Sequence, residues 1–258
     1  MTSNNNENNI SFISHLSELR SRLIKSFIFL FVVFVICYIF SEEIYGFLVK
    51  PYSEAVIKNN LDRRLIFTAL HEAFLTYLKV AFFASFFLSS PVFLSQIWKF
   101  IAPGLYKNEK SALLPYLIAT PVLFILGGML VYYLIMPLAI KFFMSFESAA
   151  QPGMIPIQLE AKVNEYLSLI MRLIFAFGLS FQLPVILSLL ARIGIIDSNY
   201  LKTRRKYVVI IIFTIAAILT PPDPITQIGL AIPLLILYEL SIFSVKFIEN
   251  KNLKNTDA

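Results

Sequence analysis

Six stretches of this chain are apolar over lengths that suit a bilayer: 23–40, 73–98, 113–138, 163–191, 207–220 and 225–247. A helix of roughly 20 apolar residues crosses a hydrocarbon layer of about 30 Å. Inside that layer each backbone N–H and C=O needs a partner within the protein, which leaves helices or a closed barrel. The stretches do not alternate polar with apolar, and they far exceed the ~10 residues of a barrel strand. The expected fold class is therefore all-α: a polytopic integral membrane protein with six transmembrane helices. Charged residues make up only 15% of the chain, against about 25% in soluble domains.

Net charge is +6. In a soluble protein that balance would suggest nucleic acid. Here the cations fall between apolar stretches, so no nucleic-acid partner is expected. Arg20, Arg22, Lys25, Lys99, Lys107, Lys110, Arg192, Lys202, Arg204, Arg205, Lys206, Lys246, Lys251 and Lys254 all fall on one side of an alternating six-helix path. Lys50, Lys58, Arg63, Arg64, Lys141 and Lys162 fall on the other. Lysine and arginine collect in loops that stay in the cytoplasm, so both termini and the 99–112 loop are expected there. Cys37 is the single cysteine, which excludes an intramolecular disulfide. The two histidines, His15 and His71, are far apart; no metal site and no cofactor are expected.

Along the chain, the Asn-rich residues 1–9 read as disordered, 10–247 as one six-helix membrane domain, and 248–258 as a flexible cytoplasmic tail. Residues 10–25 have the spacing of an amphipathic helix, with Glu18, Arg22 and Lys25 on one stripe. The 41–72 segment is too polar to span and reads as a cap on the membrane surface. Ser89-Ser90-Pro91 predicts a kink, and Gly127-Gly128 a close helix approach. Arg172 lies in a stretch long enough for its first turns to project above the membrane, which sets it near the surface below Glu165, in packing or in a pair with that residue. The 207–220 stretch gives a helix of only about 21 Å.

Few acids stand near the membrane on the cation-rich side. Glu18 and Glu109 do, each among basic residues. One reading is local ion pairing, contributing roughly 0–1 kcal/mol per exposed pair. The other is a receptor for two guanidinium groups. Arginine meets a carboxylate through two parallel hydrogen bonds, a fork that lysine does not reproduce. Gln182 and Glu239 are polar residues within spans, which by default are candidates for function. For Gln182 the bland alternative is a hydrogen bond to backbone freed by Pro184. Thr220, Asp223 and Gln227 bracket the tight turn between the last two stretches, where Asp223 alone could cap a helix.

Several of these residues sit in longer patterns. Trp98-x-Phe100-Ile101-Ala102-Pro103-Gly104-Leu105-x-x-x-Glu109 marks a Pro-Gly turn in the 99–112 loop. His15-Leu16-Ser17-Glu18-Leu19-Arg20-Ser21-Arg22-Leu23 precedes the first span, and Phe177-Gly178-x-x-Phe181-Gln182-Leu183-Pro184 lies in the fourth. Leu219-Thr220-Pro221-Pro222-Asp223, Gln227, Ile232-Pro233 and Glu239 follow in order. Together they resemble the TatC family, the multispanning core subunit of the twin-arginine (Sec-independent) protein translocase.

That resemblance implies a receptor that is not an enzyme, in the plasma (inner) membrane of a bacterium. It implies binding of the twin-arginine signal peptides of folded precursors through Glu18 and Glu109. Arg20, Leu23, Phe100, Pro103, Leu105, Tyr106 and Lys107 would shape that site. Thr220, Pro221, Asp223 and Gln227 would dock small single-span subunits of the TatA and TatB types. Self-association and export driven by the proton-motive force are implied as well. Pro51 matches the family's proline in the first outer loop, and Gln182 stands where the family has Glu or Gln. The competing reading is a secondary transporter of a small solute, which would show paired internal repeats; the stretches here show none. No H-E-x-x-H or G-x-S-x-G pattern supports hydrolytic chemistry.

Overall fold

A computed structural model describes residues 3–58, 63–105, 110–148, 155, 157–220 and 224–256. Among them the regular structure is helical: α1 (Ser3–Ile39), α2 (Ser41–Lys58), α3 (Glu72–Leu105), α4 (Lys110–Leu130), α5 (Met136–Met144), α6 (Val163–Ser180), α7 (Leu183–Arg192), α8 (Ser198–Leu219) and α9 (Pro224–Thr256). A π-helical segment, Val131–Ile135, joins α4 to α5. Two isolated bridges, Ile66 with Lys162 and Ser148 with Ile157, tie the connecting segments together. The stretch expected to be disordered is drawn as helix from Ser3 onward, and the amphipathic 10–25 segment continues into the first span as one helix.

Among the described residues, five helical stretches are long and apolar enough to cross a membrane: Ser17–Ile39, Glu72–Ile97, Pro115–Met144, Val163–Arg192 and Thr226–Asn250. The sixth expected span is a helix but does not meet that standard alone. The N-terminal part of α8 carries Lys202, Arg204, Arg205 and Lys206, so only its second half is apolar. Large side chains such as Phe27, Phe31, Ile39, Phe243 and Phe247 face outward, as lipid-facing residues do.

Lipid tails are as apolar as these side chains, so helix association rests on packing and hydrogen bonds rather than on excluding water. The core shows both. Val80, Val131, Met136, Leu167, Ile170, Leu173, Phe177 and Leu230 are fully buried in one cluster. The expected close approach is present: a Cβ on Gly127 would lie 2.7 Å from the Phe177 carbonyl oxygen, and one on Gly178 would strike the Phe124 ring.

Prolines break the helical ladder, and neighbours repair it. Pro51 lies within α2 and leaves the Phe47 carbonyl without its usual N–H partner; the Tyr132 hydroxyl donates to it at 2.8 Å. Pro91 does the same to the Phe87 carbonyl, and Ser90 Oγ donates there at 2.7 Å. α3 stays helical through Ser89-Ser90-Pro91, the site of the expected kink. Pro137 frees the Tyr133 carbonyl, and just before it the ladder slips to a wider turn, with Met136 N–H donating to Val131 O.

The segments between helices sort to two ends. At one end, the cap, lie α2, the 63–71 strand-like segment and residues 145–148 and 157–162. Arg63 forks onto Glu147 with both contacts at 3.1 Å, Tyr166 Oη donates to Leu48 O at 3.1 Å, and Lys79 Nζ donates to Asn164 Oδ1 at 2.7 Å. At the other end lie the Glu18–Lys25 turns of α1, the last turns of α3 and the start of α8, where Ser198 N and Oγ donate to the Glu249 carboxylate at 2.7 and 2.6 Å. The cation-rich segments expected on one side do share this second end.

Candidate functional site

At the cation-rich end α1 packs against α3. Helical spacing sets Glu18 four residues before Arg22, one turn apart on one face. Arg22 donates to Glu18 Oε1 from Nη2 at 2.6 Å and from Nε at 3.0 Å, and its Nη1 reaches Gln96 Oε1 on α3 at 3.0 Å. Ser26 Oγ donates to the Arg22 carbonyl. A cavity of about 320 Å³ opens beside this pair, lined by Glu18, Ser21, Arg22, Lys25, Gln96 and Lys99. The site thus holds a carboxylate already engaged by a guanidinium, with two lysines at its rim.

Arg20 and Leu23 are exposed on α1, and Phe100 is half-buried near the end of α3. Pro103 and Leu105 fall within the last turns of α3. The Pro-Gly turn expected there is corrected: helix persists past Pro103-Gly104 to Leu105. Tyr106, Lys107 and Glu109 lie outside the described residues, and the connection they occupy leaves α3 and returns at Lys110, the first residue of α4.

The two intramembrane polar residues have partners. Between α6 and α7, Gln182 N–H bonds Leu179 O instead of Gly178 O. Gln182 Nε2 takes up the freed Gly178 carbonyl at 3.3 Å and reaches the Thr120 carbonyl on α4 at 3.0 Å. Its Oε1, though buried, has no protein partner. The bland reading, a bond to the carbonyl freed by Pro184, is not what forms: the amide donates to Gly178 O, freed at Gln182 itself, and to Thr120 O. Glu239 Oε2 accepts from Arg205 Nη2 at 2.6 Å, with both side chains half-exposed.

Thr220 is buried, and both its N–H and its Oγ1 donate to Ala216 O at 2.9 Å. Gln227 Nε2 donates to Phe213 O at 3.3 Å, holding α9 to α8. These two residues therefore build the hairpin itself. Pro221 and Asp223 lie outside the described residues. Arg172 is exposed, and the expected pairing with Glu165 is not formed: Glu165 faces Lys162 at 3.7 Å. Sequence reasoning missed the Arg63–Glu147 pair and the Glu249 cap, because no local spacing connects residues 84 and 51 positions apart.

Three comparisons place this architecture. Residues 14–233 match the family model described as Sec-independent protein translocase protein (TatC). A Sec-independent protein translocase protein TatC of Magnetococcus marinus is 47% identical over 252 residues, covering 98% of this chain and 90% of that protein. One of Rickettsia prowazekii is 43% identical, covering 95% and 96%. A crystal structure described as the twin-arginine translocase receptor TatC superposes with a TM-score of 0.77 at 36% identity, covering 91% of this chain and 99% of that one. With a family model across most of its length and relatives this similar from end to end, the chain belongs to the TatC family of Sec-independent protein translocase proteins.

Proposed function

We propose that this chain is the signal-recognising core subunit of a twin-arginine translocase, and that Glu109 and Glu18 receive the two arginines of a signal peptide. The chain performs no catalysis. It lies in the plasma (inner) membrane of a bacterium, with six spans and both termini in the cytoplasm. The α8–α9 turn, with Thr220, Pro221, Asp223 and Gln227, docks single-span subunits of the TatA and TatB types, and export of folded precursors draws on the proton-motive force.

One observation carries the recognition reading: Glu18 already binds a guanidinium, that of Arg22, beside a cavity at the end where α3 leads into the Glu109 segment. Arginine's planar fork suits such a site, whereas lysine offers a single point of charge. The cationic rim disfavours peptides that lack the fork.

Titrating labelled Arg-Arg and Lys-Lys signal peptides onto the detergent-solubilised protein tests this. Removing one partner of a hydrogen-bonded charge pair costs about 2–5 kcal/mol, so Glu109→Ala weakens Arg-Arg binding roughly 30-fold or more. Glu109→Gln is also defective. Glu18→Ala is milder, because Arg22 already engages that carboxylate. Wild-type affinity for Lys-Lys equal to that for Arg-Arg, or full affinity in Glu109→Ala, refutes the assignment.

A further inference from the structure

The cap end holds a second cavity, of about 280 Å³, between the starts of α3 and α6. Glu72, Lys79, Lys162, Asn164 and Glu165 line it. Its depth in the membrane follows from the helices. Lys79 and Lys99 both lie on α3, twenty residues apart, and at 1.5 Å per residue they bracket about 30 Å, the thickness of a hydrocarbon core. Arg172 and Arg192 are spaced by the same number of residues along α6 and α7. Lys79 and Arg172 therefore mark the hydrocarbon boundary at the cap end, and the cavity opens in the headgroup layer just above it.

The charges there are mixed. An ammonium carries three N–H donors, and Asn164 takes one from Lys79 at 2.7 Å. Arg172 stands exposed seven residues after Glu165, two turns deeper on the same face of α6. Arg172 is not among the residues that line the cavity; side chains lean toward a helix's N-terminus, so from two turns below an arginine can reach up to a phosphate at the cavity mouth. A cation at that depth needs a counter-charge, and Glu165 does not supply it: its ion pair is a loose one with Lys162 at 3.7 Å, and it is 72% exposed. Glu72 is taken by the Thr68–Ala69 turn, whose N–H groups donate to it.

We infer that this crevice binds the headgroup of a zwitterionic aminophospholipid of the phosphatidylethanolamine type in the cap-side leaflet. Lys79 and Arg172 hold the phosphate, and Glu165 accepts hydrogen bonds from the primary ammonium. A choline headgroup offers no N–H to Glu165, and a glycerol headgroup offers no cation. The site depends on the chain spanning a bilayer and is independent of signal recognition at the opposite end.

The test is thermal unfolding of the purified full chain in detergent with equal mole fractions of dioleoyl phosphatidylethanolamine, phosphatidylcholine or phosphatidylglycerol, and with inorganic phosphate alone. A ligand at a hundred times its Kd raises Tm by roughly 5–10 °C for a chain of this size. Phosphatidylethanolamine is expected to give such a rise and the other two lipids less. Arg172→Leu, a change at an exposed position, abolishes the rise. Glu165→Gln retains part of it but levels phosphatidylethanolamine with phosphatidylcholine. Equal rises from all lipids, or a rise that survives Arg172→Leu, overturn the proposal. A full rise with inorganic phosphate alone also overturns it, in favour of a simple anion site. Signal-peptide titration of the same variants is expected to match wild type, which separates this site from the recognition site.

Discussion

Glu147 accepts from Arg63 through both carboxylate oxygens and from the Leu159 N–H at 2.9 Å, with the two charged side chains only 12% and 14% exposed. The guanidinium, and after it the Leu159 N–H, hold the Glu147 carboxyl below the ordinary carboxylate range. A carboxyl depressed in the fold contributes stability that is fully present above its unfolded value, near pH 4.3, and is lost as pH falls through the folded value. Glu147→Gln takes the carboxylate away from the nearly buried Arg63, at a cost of about 3 kcal/mol. Thermal unfolding in detergent is expected to show Glu147→Gln well below wild type at pH 7. Its pH dependence below about pH 4.5 should be flatter; parallel profiles down to pH 3 would show that the pair is not the acid-sensitive contact. At this scale the sequence revealed only what local spacing encodes. Glu18 and Arg22 are one helical turn apart and could be paired on sight. Arg63 and Glu147, or Arg205 and Glu239, meet only because distant segments converge.

Among the helices, the repaired proline breaks are the most informative feature. Pro51, Pro91 and Pro103 all lie inside helices, although the last two read naturally as a kink and a turn. A proline inside a helix frees the carbonyl four residues back, and in α2 and α3 hydroxyls donate to the Phe47 and Phe87 carbonyls freed in this way. Ser90 is adjacent to its proline and so was legible; Tyr132 is 85 residues from the carbonyl it serves and was not. A double-mutant cycle tests the compensation. Tyr132→Phe keeps the ring stacked on Phe47 at 4.4 Å but leaves the Phe47 carbonyl without that donor, costing about 1–3 kcal/mol. Pro51→Ala restores a backbone N–H to the same carbonyl, so Tyr132→Phe is expected to cost clearly less in that background. Identical Tm losses in both backgrounds would mean the hydroxyl is not the replacement donor.

For the molecule as a whole, apolar patterning delivered the all-α class and five of the membrane-length helices, because a bilayer demands long uninterrupted stretches. The α8–α9 hairpin departs from that rule. Arg205 and Glu239 pair near the cation-rich surface, and the fifteen residues from Glu239 back to Pro224 rise only about 22 Å. The hairpin tip thus ends roughly 8 Å short of the boundary that Lys79 and Lys99 bracket, and the bilayer is expected to thin around it. The proposed orientation, with both termini in the cytoplasm, rests on the segregated cations. Single cysteines at Asn60 and Gln151 in a Cys37→Ala background are expected to react with an impermeant reagent added to intact cells, and one at Asn108 is not. Buried Cys37 sits with Ala81 and Ala84, so alanine fits the background. External labelling at Asn108 would invert the topology.

The Arg22 contact has a kinetic side. Because Arg22 is tethered four residues from Glu18, it competes for that carboxylate at an effective concentration far above that of any peptide in the cell. A visitor bearing one arginine swaps like for like at Glu18 and gains almost nothing. If Glu109 receives an arginine as proposed, a visitor with a second arginine placed for it would tip the exchange. Under the proposed recognition, the resident side chain would set a threshold of two, turning a site that could tolerate stray cations into one that counts them.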